Sequence, residues 1–301
     1  VTTSGHAFVR PRAGGNILVP TGSRRGALAG VSLLTRSRTP AVTAQWLLFG
    51  AVAVAGPRVI PGTRVGGEPP GGAALWQALS SRVGPFDGLA LYERPQGSRT
   101  GVAAVLLHRG RPAGFLKVRD EPDTLDREVR ALSAFPGGQA AGFRVPKVLD
   151  RDETHGSHWM LIEAMPPRPA RPLRGTVLAV LVAQIQRRLA VVVPRPPGTP
   201  DHWLPMHGDL TVWNLRRCGA GLPWLIDWED ARWAPPGADR VYYEATHTAV
   251  FGRPPASREL TGPAEAVLFW TRQVERRPAA DRDAPFNARL RAALRAMCPA
   301  A

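Results

Sequence analysis

Between residues 73 and 165 the chain alternates short apolar runs with turn residues, and the period of each run predicts its element. Residues 89–92, 102–108 and 114–118 are compact apolar runs of strand length, rich in Leu and Val. A loop holding Gly97, Ser98, Thr100 and Gly101 joins the first two, and the turn Arg109-Gly110-Arg111-Pro112 joins the second and third. Residues 73–79 read as a short helix, and 124–134 as a longer one with Asp123 at its N-cap. Taking about 100° per residue, Leu125, Val129 and Leu132 share one stripe with Glu128 beside it, while Arg127 and Arg130 fall opposite. Residues 145–149 and 159–165 read as two further strands. Beyond Pro166-Pro167-Arg168-Pro169 the periodicity turns helical, with helices expected over 176–189, 241–251, 263–276 and 287–297.

The first seventy residues carry glycine and arginine clusters around one helix expected near 40–55. That run, AVTAQWLLFGAVAVA, falls short of the roughly 20 apolar residues a membrane span needs. It reads as a helix buried in the core, with contact to a membrane surface as the alternative. The Gly/Pro-rich stretch 61–72 reads as a linker. Residues 1–30 lack the charged-then-apolar layout and cleavage site of a signal peptide.

A formal net charge of +15 and a pI near 11.4 invite an anionic partner. Of the 39 basic residues only Lys117 and Lys147 are lysine. The arginines are scattered, with no basic run and no aromatic-interleaved repeat, so nucleic acid is not expected. Two widely separated cysteines, Cys218 and Cys298, make no disulfide framework and fit a reducing, cytoplasmic setting.

The chemistry concentrates in His207-Gly208-Asp209-Leu210-Thr211-Val212-Trp213-Asn214 and in Leu225-Ile226-Asp227-Trp228-Glu229. One carboxylate is followed five residues later by an amide, and a second carboxylate closes an apolar run. A carboxylate directly after a buried strand costs free energy unless it is paired or binds a cation. Mg²⁺ takes oxygen ligands of this kind together with substrate phosphates. Lys117 lies in an apolar strand, flanked by Phe115, Leu116 and Val118, and calls for an anionic partner unless it faces solvent. Glu128 is the natural one, with Glu121 and Asp126 as rivals.

With His-Gly-Asp and Asp-Trp-Glu in these places, the chain resembles the aminoglycoside phosphotransferase and choline kinase group over roughly residues 85–250. The resemblance implies an α+β, two-lobed protein-kinase-like fold, with an antiparallel-sheet N-lobe over 73–165, a mainly helical C-lobe over 166–301 and an added N-terminal segment over 1–72. It implies a phosphotransferase that moves the γ-phosphoryl of ATP (or GTP) to a hydroxyl of a small molecule: a sugar, an aminoglycoside-like compound or a glycolipid precursor. Asp209 would be the catalytic carboxylate, and Asn214 and Asp227 would hold Mg²⁺. Glu229 would stand near that metal, while His207 would pack behind the loop. Lys117, paired with Glu128, would hold the nucleotide phosphates under the loop bearing Gly97 and Gly101. Backbone groups from Glu163 to Met165 would bind adenine. The alternatives are a non-catalytic nucleotide-binding scaffold of the same fold and a Ser/Thr protein kinase.

Overall fold

A computed structural model of the chain describes residues 6–12, 16–67, 69, 72–93, 101–173, 178–255, 263–277 and 284–298. The chain is an α+β protein. In order, its first elements are β1 (His6–Pro11), β2 (Ile17–Pro20), α1 (Arg24–Ser32), α2 (Thr39–Ala55), β3 (Gly62–Gly67), α3 (Gly72–Val83), β4 (Gly88–Tyr92), β5 (Val102–His108) and β6 (Arg111–Arg119). Then come α4 (Asp123–Ser133), β7 (Gln139–Ala140), β8 (Phe143–Arg144), β9 (Val148–Thr154), β10 (Ser157–Ile162) and β11 (Arg171–Pro172). The last are α5 (Leu178–Val192), β12 (Leu204–Met206), β13 (Leu215–Arg217), β14 (Trp224–Leu225), β15 (Arg232–Ala234), α6 (Ala238–Phe251), α7 (Ala264–Glu275) and α8 (Ala284–Met297). The chain divides into two units: unit 1 holds Val1–Pro95, Arg99–Leu125 and Pro146–Arg171, and unit 2 holds the rest.

Unit 1 is built on an eight-stranded sheet in the order β3-β1-β2-β4-β5-β6-β10-β9. Its neighbours are antiparallel. Alternation along the strands sorts the apolar side chains onto two faces. Phe8, Leu18, Leu89, Leu91, Ala104 and Leu106 point to one face, where Leu75, Trp76 and Leu79 of α3 cover them. Val9, Ile17 and Val19 point to the other, against Ala27 and Val31 of α1 and Val52 of α2. A sheet buried on both faces explains why its central strands read as continuous apolar runs.

Three sequence readings change here. The glycine-rich stretch read as a linker contains β3, which pairs with β1 from His6↔Gly67 to Pro11↔Gly62 at the sheet edge. An exposed edge strand needs backbone partners more than side chains, so glycine is tolerated. The helix expected to be buried, α2, has only Gln45 and Val52 buried, with Leu48 and Phe49 partly buried beside them, and its outer, uncharged face is exposed. The strand expected over 145–149 begins later, as β9 from Val148: residues 145–147 are irregular, with Pro146, which has no N–H to offer a ladder, where the chain passes from unit 2 to unit 1.

In unit 2, β13, β14, β8 and β7 form a small sheet in that order. Leu173, just after β11, donates its N–H to Leu215 O. β12 pairs with β15. The core is helical. Val241, Tyr242 and Ala245 of α6 pack with Val267 and Trp270 of α7 and Leu290 and Leu294 of α8, and the Tyr242 and Trp270 rings stack 3.9 Å apart.

Leu79 is wholly buried in the α3 face of unit 1. Leu79→Ala is expected to destabilise the chain by about 2–5 kcal/mol through the cavity it leaves. Urea unfolding checks this, and a loss below about 1 kcal/mol would mean that α3 is not the cover of this face.

Candidate active site

The residues with the strongest chemical signature lie in one loop of unit 2, between β12 and β13. Its entry is fixed by a residue thirty positions further on. Asp239, in the first turn of α6 and fully buried, accepts the His207 N–H at 2.8 Å and the Gly208 N–H at 3.1 Å, one on each carboxylate oxygen. His207 Nδ1 then accepts the Asp209 N–H at 3.1 Å, which leaves Nε2 to carry the proton of the neutral ring. The His207 ring packs on Trp228 at 4.4 Å, and Trp228 in turn on Phe135 at 4.9 Å.

Gly208 is required by both conformation and space. Its φ is +85°, and a Cβ there would stand 2.0 Å from the Asp230 carbonyl oxygen. The first acidic segment and the second therefore touch through a glycine that has no side chain to separate them.

Asn214 closes the loop. Its Nδ2 donates to Asp209 Oδ2 at 2.8 Å and to Asp209 O at 3.0 Å. With both amide hydrogens directed at Asp209, the Oδ1 end remains an acceptor. The Asn214 carbonyl accepts Ile226 N–H at 3.0 Å, and Leu215 pairs with Leu225 across β13 and β14. This ladder places Asn214 opposite Ile226, the residue before Asp227. Asp227 itself has φ +68°, a left-handed conformation for a residue with a side chain. Such strain is held where the surrounding structure dictates it, and it gathers at functional sites.

Asp227, Glu229 and Glu128 bring carboxylate oxygens within 4.8 Å of one another. Glu128 (0 % exposed) and Glu229 (3 %) are buried. The Trp228 N–H points at Glu128 Oε1 at 3.4 Å, and Arg127 holds the Glu229 carbonyl at 3.0 Å. Carboxylates this close repel unless positive charge or a proton offsets them. Three carboxylates are hard oxygen donors, and the set fits Mg²⁺ by its chemistry.

The site residues expected from sequence fall as follows. Asp209 and Asn214 are hydrogen-bonded to each other. Asp227, Glu128 and Glu229 come together. Lys117 (5 % exposed) lies on β6 of unit 1, at the register position between Ala103 and Met160. Gly101 precedes β5 in unit 1 with φ +109°, and a Cβ there would meet Val118 O at 2.2 Å. Gly97 lies outside the described residues. Glu163 and Met165 follow β10 in unit 1, and the Glu163 N–H donates to Lys147 O at 2.8 Å.

Asp239 is a residue the sequence did not single out, yet its carboxylate holds the loop from behind. The available signal, an acid in the first turn of a helix, is local, and nothing local says that its partners lie 31 and 32 residues upstream.

Comparison with known proteins bears on this segment. Residues 173–276 match the phosphotransferase enzyme family. The match takes in Asp209, Asn214, Asp227, Glu229 and Asp239. Several solved structures are also similar to this chain. A thermostable mutant of the aminoglycoside phosphotransferase APH(4)-Ia, in ternary complex with ADP and hygromycin B, is 13% identical over 76% of this chain and 100% of that one, with a TM-score of 0.44. A putative aminoglycoside phosphotransferase from Ralstonia eutropha is 16% identical over 74% and 95%, with a TM-score of 0.44. Macrolide 2'-phosphotransferase MphH from Brachybacterium faecium is 16% identical over 75% and 99%, with a TM-score of 0.40. No curated protein matches the chain.

Two stability measurements test how this loop is built. Gly208→Ala is expected to cost about 1–3 kcal/mol, from the left-handed backbone and the clash with Asp230 O; an unchanged unfolding midpoint would contradict the close approach. Burial pushes the Asp239 carboxyl up from 3.8 to about 6, although both backbone donors and Arg232 pull it down. Between those values the folded chain holds a proton that the unfolded chain has released, so this group's contribution to stability falls as pH rises from about 4 to about 6 and is level above. Asp239→Asn removes that slope. Unfolding free energies of wild type and variant across this range check it, and parallel pH profiles would sink the assignment.

Proposed function

We propose that this chain is an ATP-dependent (or GTP-dependent) phosphotransferase that moves the γ-phosphoryl group to a hydroxyl of a small molecule. The observation that carries this reading is the Asp209–Asn214 hydrogen bond, on a loop tied through Ile226 to the strained Asp227 turn. All of it lies inside the segment matching a phosphotransferase family. An acid hydrogen-bonded to an amide next to further hard oxygen donors is suited to one task. It aligns a nucleophilic oxygen with a metal-bound phosphate.

In this reading Asp209 accepts the proton of the acceptor hydroxyl as its oxygen bonds to the γ-phosphorus. The bond from that phosphorus to the bridging oxygen breaks, the nucleoside diphosphate leaves, and the proton passes from Asp209 to solvent. Asn214 Oδ1 and the Asp227 carboxylate would hold Mg²⁺, with Glu128 and Glu229 near Asp227; when bound, the ion would supply charge neutralisation for the transferred phosphate. Lys117 holds the phosphates from a buried strand position, where a cation gains most from an anionic ligand. Gly101 would border the loop over the phosphates, and backbone groups from Glu163 to Met165 would take the adenine. Residues 73–165 and 166–301 would then be the two lobes of a cytoplasmic kinase-like enzyme, with 1–72 added in front. The excess of arginine favours a neutral or anionic acceptor, such as a sugar or a glycolipid precursor, over a polycation.

The test is a screen of hydroxyl compounds with γ-labelled ATP and Mg²⁺, followed by kinetics of Asp209→Ala. That variant is expected to lose about 10²–10⁴-fold in kcat, while its nucleotide Kd stays within about threefold, a change of less than about 1 kcal/mol. Turnover of a found acceptor at the wild-type rate in Asp209→Ala would overturn the role given to this carboxylate.

A further inference from the structure

Helix α2 has an unusual surface for a folded chain. It carries no charged side chain over Thr39–Ala55. One stripe is fixed to unit 1. Gln45 is buried and donates Nε2 to Val31 O at 2.9 Å, Val52 is buried in the core, and Leu48 and Phe49 pack beside them. These positions are spaced three, four and seven apart, so they form one face of the helix. The opposite face presents Leu47 (70 % exposed), Val54 (81 %) and the small residues Gly50 and Ala51. Trp46, half-exposed, stands at the flank with its ring edge-on to Phe49 at 5.9 Å. Val59 is exposed just beyond the helix end. Four of the ten strongly exposed large apolar side chains among the described residues therefore fall between residues 46 and 59. A helix that is apolar all round is ordinarily buried on every side. This one is covered on one.

The charges around it say what covers the other. Residues 1–67 contain eight arginines and not one Asp or Glu. Arg36 lies before the start of α2, and Arg58 and Arg64 sit at its far end. Arg58 and Arg64 are exposed, and Arg64 donates to the Arg58 carbonyl. Arg38, exposed, stands at the N-cap of α2. A second copy docking on this face would bring a matching set of arginines against it. A bilayer with anionic headgroups meets both requirements, apolar contact for the stripe and negative charge for its two ends. Among the described residues no helix is long and apolar enough to cross a membrane. At 17 residues, and pinned along its length by Gln45 and Val52, α2 lies on unit 1 as a surface element.

We propose that the outer face of α2 docks the protein on an anionic lipid surface, with Leu47, Val54 and Trp46 entering the headgroup region and the flanking arginines meeting the phosphates. The inference is independent of the phosphotransferase reading.

The experiment is sedimentation of the full chain with vesicles of phosphatidylcholine alone and of phosphatidylcholine mixed with phosphatidylglycerol, at low and high salt. The wild type is expected to sediment with the anionic vesicles, less so at high salt. Leu47→Glu combined with Val54→Glu is expected to lower the partition on the order of tenfold or more, and Arg58→Glu with Arg64→Glu to weaken it and flatten its salt dependence. Both pairs sit at exposed positions, and an unchanged unfolding midpoint verifies their folding. The proposal is overturned if the folded wild type ignores anionic vesicles, binds phosphatidylcholine alone equally well, or binds undiminished after Leu47→Glu/Val54→Glu. It is also overturned if sedimentation velocity shows a dimer that this double variant dissociates while no vesicle binding is seen, which would assign the face to a second copy.

Discussion

The two hydrogen bonds that the buried Asp239 carboxylate accepts from the backbone of His207 and Gly208 are what the rest of the site depends on. They hold the start of the loop from behind, from a helix whose own position is set by the stacked Tyr242 and Trp270 rings. From that anchor the order propagates outward: His207 receives the Asp209 N–H, Asn214 clasps the Asp209 carboxylate, and Asn214 O receives Ile226 N–H. Every link but the Asn214–Asp209 carboxylate bond uses a backbone group on at least one side. The main chain thus sets most of the placement of Asp209, Asn214 and Asp227, and one side-chain bond closes it. Charge burial is the opposing cost. It raises the Asp239 pKa to about 6, and two donors hold the group in place despite it. The same tension between burial and charge recurs in the cluster of Glu128, Asp227 and Glu229.

Much of this was legible in the sequence because the site is local. Asp209 and Asn214 are five residues apart, and the apolar run that ends in Asp227 announces a strand closing on a carboxylate. The helix carrying Glu128 was readable from its stripe, and the burial of Glu128 follows from its place beside Leu125 and Leu132. Asp239 was not legible as an anchor, because its partners are backbone N–H groups, which no side-chain pattern encodes. The left-handed backbone of Asp227 was equally hidden: glycine advertises a positive φ, and aspartate does not.

The fold of the first seventy residues escaped for a different reason. Their strands are short, and their partners are remote. β2 pairs with β4, and the glycine strand β3 is defined only by β1. A glycine-rich segment has no alternation to read, so its strand state is set by the neighbour. The α2 helix was read correctly as a helix and wrongly as buried. An uncharged apolar run of about four turns satisfies both the core and a surface that meets something apolar. Only the packing of Gln45, Leu48, Phe49 and Val52, on one side alone, separates the two. In unit 1 the position of Lys117 follows simply from the ladder, since β6 runs between β5 and β10 in the interior of the sheet.

The central claim is that the carboxylates and amide of unit 2 are built to receive a metal-bound nucleotide. It is tested most directly by thermal unfolding of the wild type and of Asp227→Ala, with and without Mg²⁺ and ATP. A ligand at about 100 times its Kd stabilises the folded state by roughly 2.7 kcal/mol. The account predicts a rise in Tm of the wild type that requires Mg²⁺ and disappears in Asp227→Ala. No rise in a well-folded wild type with either ATP or GTP, or an equal rise in Asp227→Ala, would contradict it.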